Sequence, residues 1–222
     1  LTGRGVIAHF NSDSYGRHIW FSRVGDGSLG GKARGLAFLN SLVYKYELSA
    51  KYPGVKISIP RTIVIATDYF DQFILENDLQ YVIDSEVTDE EILSEFVSSR
   101  LPESLVEQLR AYVNTTRSPL AIRSSSKLED SSYQPFAGVY STYMIPFVEN
   151  RDQMLRMLEK AIKSVYASVF YNGSRTYIQT TANLLSEEKM AVVVQSICGS
   201  EHDGLYYPML SGVARSVNFY PI

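Results

Sequence analysis

Hydrophobic and polar positions alternate only weakly over residues 1–24, which read as a lead-in strand or loop without a helix start signal. A glycine-rich turn over 25–31 opens a helical pattern across 33–48, with Leu36, Leu39, Leu42, Val43 and Tyr46 on or near one face. Residues 56–66 are rich in β-branched side chains but interrupted by Pro60, which predicts a strand at a sheet edge or bent near its start. Thr67 and Asp68 then read as helix-capping residues. Helices follow at about 68–78, 88–99 and 102–115, the second opened by a capping box from Thr88 to Glu91 and the third by Pro102 in its first turn.

The second half predicts strands at 119–125 and 139–145, joined by a serine-rich loop. An amphipathic helix over 151–170 uses Met154, Leu155, Leu158, Ile162, Val165 and Val169. Two further strands are expected at 190–198 and about 206–217. The pattern as a whole implies a mixed α and β (α+β) fold. It divides into the lead-in segment 1–24, a helix-rich first lobe over 25–118, and a second part over 119–222 with the central strands. The chain reads as a cut domain, incomplete at its C-terminus.

Composition narrows this picture. A chain of 222 residues with 45% hydrophobic content can fill a real core. Lys and Arg number 21 against 24 Asp and Glu, a formal net charge of -3, which lacks the basic excess that a general nucleic-acid surface needs. The single cysteine, Cys198, rules out a disulfide framework or a cysteine metal cluster and suits a reducing cytoplasm. No stretch reaches the roughly 18 to 20 apolar residues of a membrane helix, and no signal sequence opens the chain.

Two segments carry candidate chemistry. Gly25-Asp26-Gly27-Ser28-Leu29-Gly30-Gly31-Lys32 precedes a helix, so backbone amides, the helix N-terminus and a lysine could converge on an anion. A Walker A loop would need glycine at position 26 and Ser or Thr at 33, where the chain has Asp26 and Ala33. Residues 25–30 spell G-x-G-x-x-G, but no clear strand ends in an acidic residue about 20 positions on, as a dinucleotide fold requires. Taken alone, the segment fits a flexible turn with a solvated lysine as well as it fits a phosphate cradle. In the second segment, Leu120-Ala121-Ile122-Arg123-Ser124-Ser125 puts a guanidinium and two hydroxyls at a strand end, within reach of a triphosphate. A loop of small and polar residues with Glu129, Asp130 and Phe136-Ala137-Gly138 leads on to Thr142 and could cover phosphates. Arg123 could equally pair with Glu129 or Asp130.

Taken together and in order, Gly30-Gly31-Lys32, Ile122-Arg123-Ser124-Ser125 with Glu129-Asp130 and Phe136-Ala137-Gly138, and Val192-Val193-Val194-Gln195 followed by Ser211-Gly212-Val213 resemble the N-terminal nucleotide-binding domain of phosphoenolpyruvate synthase and pyruvate phosphate dikinase. The resemblance spans about residues 25–217. It implies an ATP-grasp-like fold in which ATP passes phosphate to a histidine on a separate swivelling domain, and from there to a pyruvate/phosphoenolpyruvate domain. It implies that Lys32 and Arg123 stabilise phosphate charge as the catalytic pair, and that Gly30, Gly31, Ser124, Ser125, Gly138 and Thr142 bind the nucleotide phosphates. Gln195 and the backbone near Ile197 become candidates for the base, although Gln195 reads equally as part of a buried strand.

The chain departs from the family pattern after Ser211-Gly212-Val213, where Arg215-Ser216 stand in place of Phe-Thr. The family's magnesium-binding Glu and Gln are expected beyond Ile222, so no metal ligand is assigned within the chain. His9, His18 and His202 stand in no context like that of the phosphate-carrying histidine. Nothing in the sequence chooses the final acceptor. A glucan, an antibiotic or a non-catalytic nucleotide-sensing role stays open beside pyruvate.

Overall fold

The structure is a computed structural model and describes residues 7–13, 19–126, 140–180, 188–213 and 216. Its elements run β1 (Phe21–Val24), α1 (Gly30–Lys45), α2 (Leu48–Lys51), β2 (Thr62–Ile65), α3 (Thr67–Glu76), α4 (Gln80–Asp84), α5 (Asp89–Ser98), α6 (Glu103–Thr115) and β3 (Leu120–Ser126). After these come β4 (Thr142–Ile145), α7 (Arg151–Ser168), α8 (Asn172–Thr180), β5 (Met190–Ser196), β6 (Ser200–His202) and β7 (Leu205–Tyr207).

Five strands form one sheet in the order β1-β2-β5-β3-β4, so strands from both halves of the chain share it. β1 and β2 pair in parallel, with Phe21 opposite Thr62 and Val24 opposite Ile65. The β2/β5, β5/β3 and β3/β4 pairs are antiparallel. The central β5 is buried from Met190 to Gln195, which explains its unbroken apolar run.

Alternation along these strands sorts their side chains onto two faces. Ile63, Ile65, Leu120, Ile122, Val192 and Val194 face a large core closed by α3, α5, α6 and α7, with Phe73, Phe96, Leu109, Leu158 and Tyr166 at its centre. Phe21, Val64, Ala191 and Val193 face a smaller cluster completed by Leu29 and Ala33 at the start of α1. The sheet is therefore a partition, with a thick helical layer on one side and α1 on the other. Half-buried Lys163 ties the thick layer together by donating to the Val97 and Ser99 carbonyls at the end of α5, at 2.6 and 3.0 Å. Burial lowers its pKa, a shift that Glu159 partly opposes.

The predicted capping box is present: the Glu91 amide donates to Thr88 Oγ1 while Glu91 Oε2 accepts from the Thr88 amide. Pro102 takes the N-cap position itself, one residue before the helix it was expected to open from within. The strand expected at 56–66, at an edge or bent near its start, shortens to Thr62–Ile65 and lies inside the sheet rather than at its edge, because β1 covers its outer side. Pro60 stays outside the paired stretch, as its missing amide requires. The expected strand at 206–217 is replaced by a hairpin of β6 and β7, joined at Asp203 and Gly204 with φ of 51° and 79°. Two successive positive φ values define the tight turn that an Asp-Gly pair favours, and that dipeptide was the signal in the sequence. The helix α8 also went unread.

In α1, Gly35 has open space where a Cβ would stand and no positive φ. Gly35→Ala is expected to raise stability by about 0.5–1 kcal/mol, through lower unfolded-state entropy and better helix propensity. A thermal or denaturant melt checks this.

Candidate nucleotide-binding site

The C-terminal ends of β1, β2 and β3 meet at the N-terminus of α1, and both sequence motifs converge there. The helix starts at Gly30, so Gly30, Gly31 and Lys32 form its first turn rather than the loop before it. Gly30 has φ +69°, and a Cβ built on it would lie 1.8 Å from the Ser125 carbonyl oxygen. Only glycine lets the helix start press this closely on β3.

Ser125 completes the junction. Its hydroxyl accepts from the Ala33 amide at 3.1 Å and donates to the Leu29 carbonyl at 2.8 Å, bridging the first turn of α1. Ser125, expected to bind phosphate, therefore uses both of these bonds to fix the helix start. Lys32 Nζ donates to Ser124 Oγ at 3.1 Å across 92 residues of sequence. Arg123, half-buried, is the next residue back along β3. It stands opposite Val193 on one side and Thr142 on the other, so it projects on the α1 side of the sheet with exposed Thr142 beside it. Lys32 is thus bonded to the residue that follows Arg123 on β3. The first turn of α1 holds no acidic residue and Leu29 gives no side-chain cap, so no carboxylate of that turn offsets the positive end of the helix dipole.

Gln195 lies on the same face, opposite Thr62, and its Nε2 donates to Thr62 Oγ1 at 3.1 Å. The Ile197 amide donates to the Pro119 carbonyl at 2.9 Å, while its carbonyl accepts from the Tyr206 hydroxyl at 3.5 Å. Gly138, Glu129 and Asp130 lie outside the described residues, and so does His18. His9 and His202 are exposed, the first 3.4 Å from Asp26 Oδ1 and the second 2.9 Å from Ser200 Oγ.

Sequence reasoning misplaced two contributors and passed over a third. Thr67 and Asp68 sit inside the first turn of α3, whose N-cap is Ala66, and their side chains serve the glycine-rich loop instead of their own helix. Arg23 at the end of β1 reaches the same loop. No spacing rule flags them, because their partners lie on another element.

A lysine in the first turn of a helix, bonded to the strand residue next to an arginine, is an arrangement that suits a polyphosphate. The family model described as pyruvate phosphate dikinase, AMP/ATP-binding domain, matches residues 26–221, and the chain belongs to that family, with an ATP-grasp-like mixed α/β fold. It is also 29% identical over 151 residues to a Bacillus subtilis (strain 168) protein named uncharacterized phosphotransferase YvkC. That alignment covers 68% of this chain and 17% of the relative, so the chain corresponds to a small part of that protein's length. The chain is thus an ATP-binding domain of a phosphotransferase family. Among the described residues, no helix is long and apolar enough to cross a membrane.

Proposed function

We propose that this domain grips the phosphates of ATP between Lys32 and Arg123, within a phosphotransferase that passes phosphate to a histidine on a separate swivelling domain and on to pyruvate. The Lys32 to Ser124 bond carries the reading, because it joins two motifs far apart in sequence into one cationic corner. Lys32 and Arg123 act as fixed charges that stabilise the phosphoryl group as it departs, with no proton to transfer. The amides of Gly30 and Gly31 and the Ser124 hydroxyl line the corner, Ser125 holds it in shape, and Thr142 at the start of β4 stands beside Arg123.

At the base end, the Ile197 N–H is already engaged by Pro119, so Ile197 would offer its carbonyl and Gln195 its side-chain oxygen to the adenine edge. Among the described residues, no group of three or more His, Cys, Asp or Glu is arranged to hold a metal ion. Lys32, Arg123 and the helix end supply positive charge at this corner, and the magnesium that accompanies ATP would be held by residues beyond Ile222. Exposed, free Cys198 suits a reducing compartment, and we place the reaction in the cytoplasm.

Lys32→Ala and Arg123→Ala are each expected to raise the Kd for ATP by about 10- to 100-fold, the value of a charge-assisted hydrogen bond. Titration calorimetry on the full-length protein reads the affinity, and phosphohistidine formation from labelled ATP reads the transfer. Wild-type values for both variants in both assays would remove the site. Phosphohistidine that formed but never yielded phosphoenolpyruvate on adding pyruvate would remove the acceptor.

A further inference from the structure

The loop that leads into α1 is held from two sides. Arg23 Nε donates to the Gly25 carbonyl and Arg23 Nη2 to the Gly27 carbonyl, both at 2.7 Å. From the other side, Asp68 Oδ2 accepts from the Asp26 amide at 2.7 Å and Thr67 Oγ1 from the Ser28 amide at 3.0 Å. The Thr67 amide also donates to the Ser28 carbonyl at 2.9 Å.

These bonds have a specific meaning because a carbonyl and the following amide belong to one rigid plane. The peptide joining residues 25 and 26 is gripped at its oxygen by Arg23 and at its nitrogen by Asp68. The peptide joining 27 and 28 is gripped in the same way by Arg23 and Thr67. One guanidinium, whose fork geometry is fixed, thus sets two peptide planes against a turn more than 40 positions on.

The glycines at 25 and 27 fit this clamp. A Cβ at Gly25 would lie 2.5 Å from Asp68 Oδ1, and one at Gly27 would lie 2.6 Å from the Asp68 amide nitrogen and 2.7 Å from Thr67 Oγ1. They admit the β2–α3 turn, where the sequence pattern suggested that they admit a ligand. Asp68 further keeps its Oδ1 buried without a hydrogen-bond partner among the described residues. A carboxylate oxygen buried in that way costs stability, so its retention fits a geometric task better than a stabilising one.

We propose that Arg23 and Asp68 are positioning residues that jointly fix the 25–28 peptides and so aim the first turn of α1, with Lys32, at the nucleotide phosphates. This rests on the ATP reading above. Neither residue is assigned a contact with ATP. They act through the loop, so their loss costs phosphate recognition and leaves base recognition in place.

The test compares ATP with adenosine, which lacks the phosphates, by titration calorimetry on the full-length protein. Arg23→Ala and Asp68→Ala are each expected to raise the ATP Kd about 10-fold or more while adenosine affinity stays within about 2-fold. Arg23→Lys keeps the charge but cannot span both carbonyls, and should lie between Arg23→Ala and wild type. Asp68→Asn keeps an oxygen for the Asp26 amide and should recover most of the affinity lost in Asp68→Ala. Lys32→Ala run in parallel separates the two readings. If it weakens ATP binding while Arg23→Ala and Asp68→Ala do not, the clamp is wrong and the ATP site stands; if it leaves ATP binding unchanged, the site itself fails. Equal losses of ATP and adenosine in the clamp variants, or an Asp68→Asn no better than Asp68→Ala, would show general loosening and overturn the positioning role. Should Arg23→Ala fail to fold, the Arg23→Lys and Asp68 variants decide by the same criteria.

Discussion

Gly30→Ala is expected to destabilise the protein by about 3 kcal/mol and to raise the ATP Kd by at least about 10-fold. Two penalties coincide at this position. The backbone has φ +69°, which L-residues enter at a cost, and the new carbon would stand 1.8 Å from the Ser125 carbonyl oxygen. A main-chain atom inside a paired strand cannot swing aside as a flexible side chain could, so the start of α1 must lift away from β3. That movement breaks the Ser125 bridge to Leu29 and Ala33 and carries Lys32 away from Ser124. Gly54→Ala is the control, since Gly54 has φ +83° but nothing within 4 Å of its Cβ position. It should show the conformational cost alone, about 1 kcal/mol, with ATP affinity unchanged. Denaturant melts and calorimetry on the two variants measure the difference, and equal stabilities would mean that the contact with Ser125 carries no weight.

The contrast between these two glycines marks where the sequence could be read and where it could not. Local signals were legible. The Thr88–Glu91 capping box, the apolar period of α7 and the unbroken apolar run of β5 each depend on neighbours a few positions away, and each element formed where the pattern put it. β1 was nearly invisible, because its four residues gain their meaning from a parallel partner about 40 positions downstream. The two phosphate motifs were legible as residue types, yet their division of labour was not. Ser125 reads as a ligand hydroxyl in the sequence and proves to be the bridge of the α1 first turn, a role set by a helix whose start lies 95 positions earlier. In the same way, Gly25 and Gly27 read as a ligand cradle and prove to make room for Thr67 and Asp68. The residue types suggest an anion site, whereas contacts across the fold determine how each of them is used.

Stability and recognition should therefore separate across the sheet, and Phe73→Ala tests the separation from the other side. Phe73 on α3 is fully buried, with its ring centroid 5.7 Å from that of Phe96 and 5.5 Å from that of Tyr166. The same cluster joins Phe70 to Tyr166 at 5.0 Å and Phe96 to Phe170 at 5.6 Å, so it ties α3 and α5 to α7 and the residues after it. Removing the ring leaves a cavity that this aromatic lattice cannot easily collapse into, at an expected cost of about 3–5 kcal/mol. For a chain of this size that corresponds to a fall in Tm of roughly 10 °C. The effect on ATP should nonetheless be small, within about 3-fold in Kd below the new Tm, since additivity holds for residues that share no partners. Phe73 lies in the large core and stacks its ring among the aromatic side chains there, whereas Arg123 and the start of α1 belong to the opposite face. Lys32→Ala should give the reverse pattern, weakening ATP while the melt moves little, because its half-buried ammonium adds no volume to either core. If Phe73→Ala abolished ATP binding while the protein remained folded, the sheet would not act as a partition, and the core packing of α3, beyond its first-turn Thr67 and Asp68, would have to be counted as part of the nucleotide site.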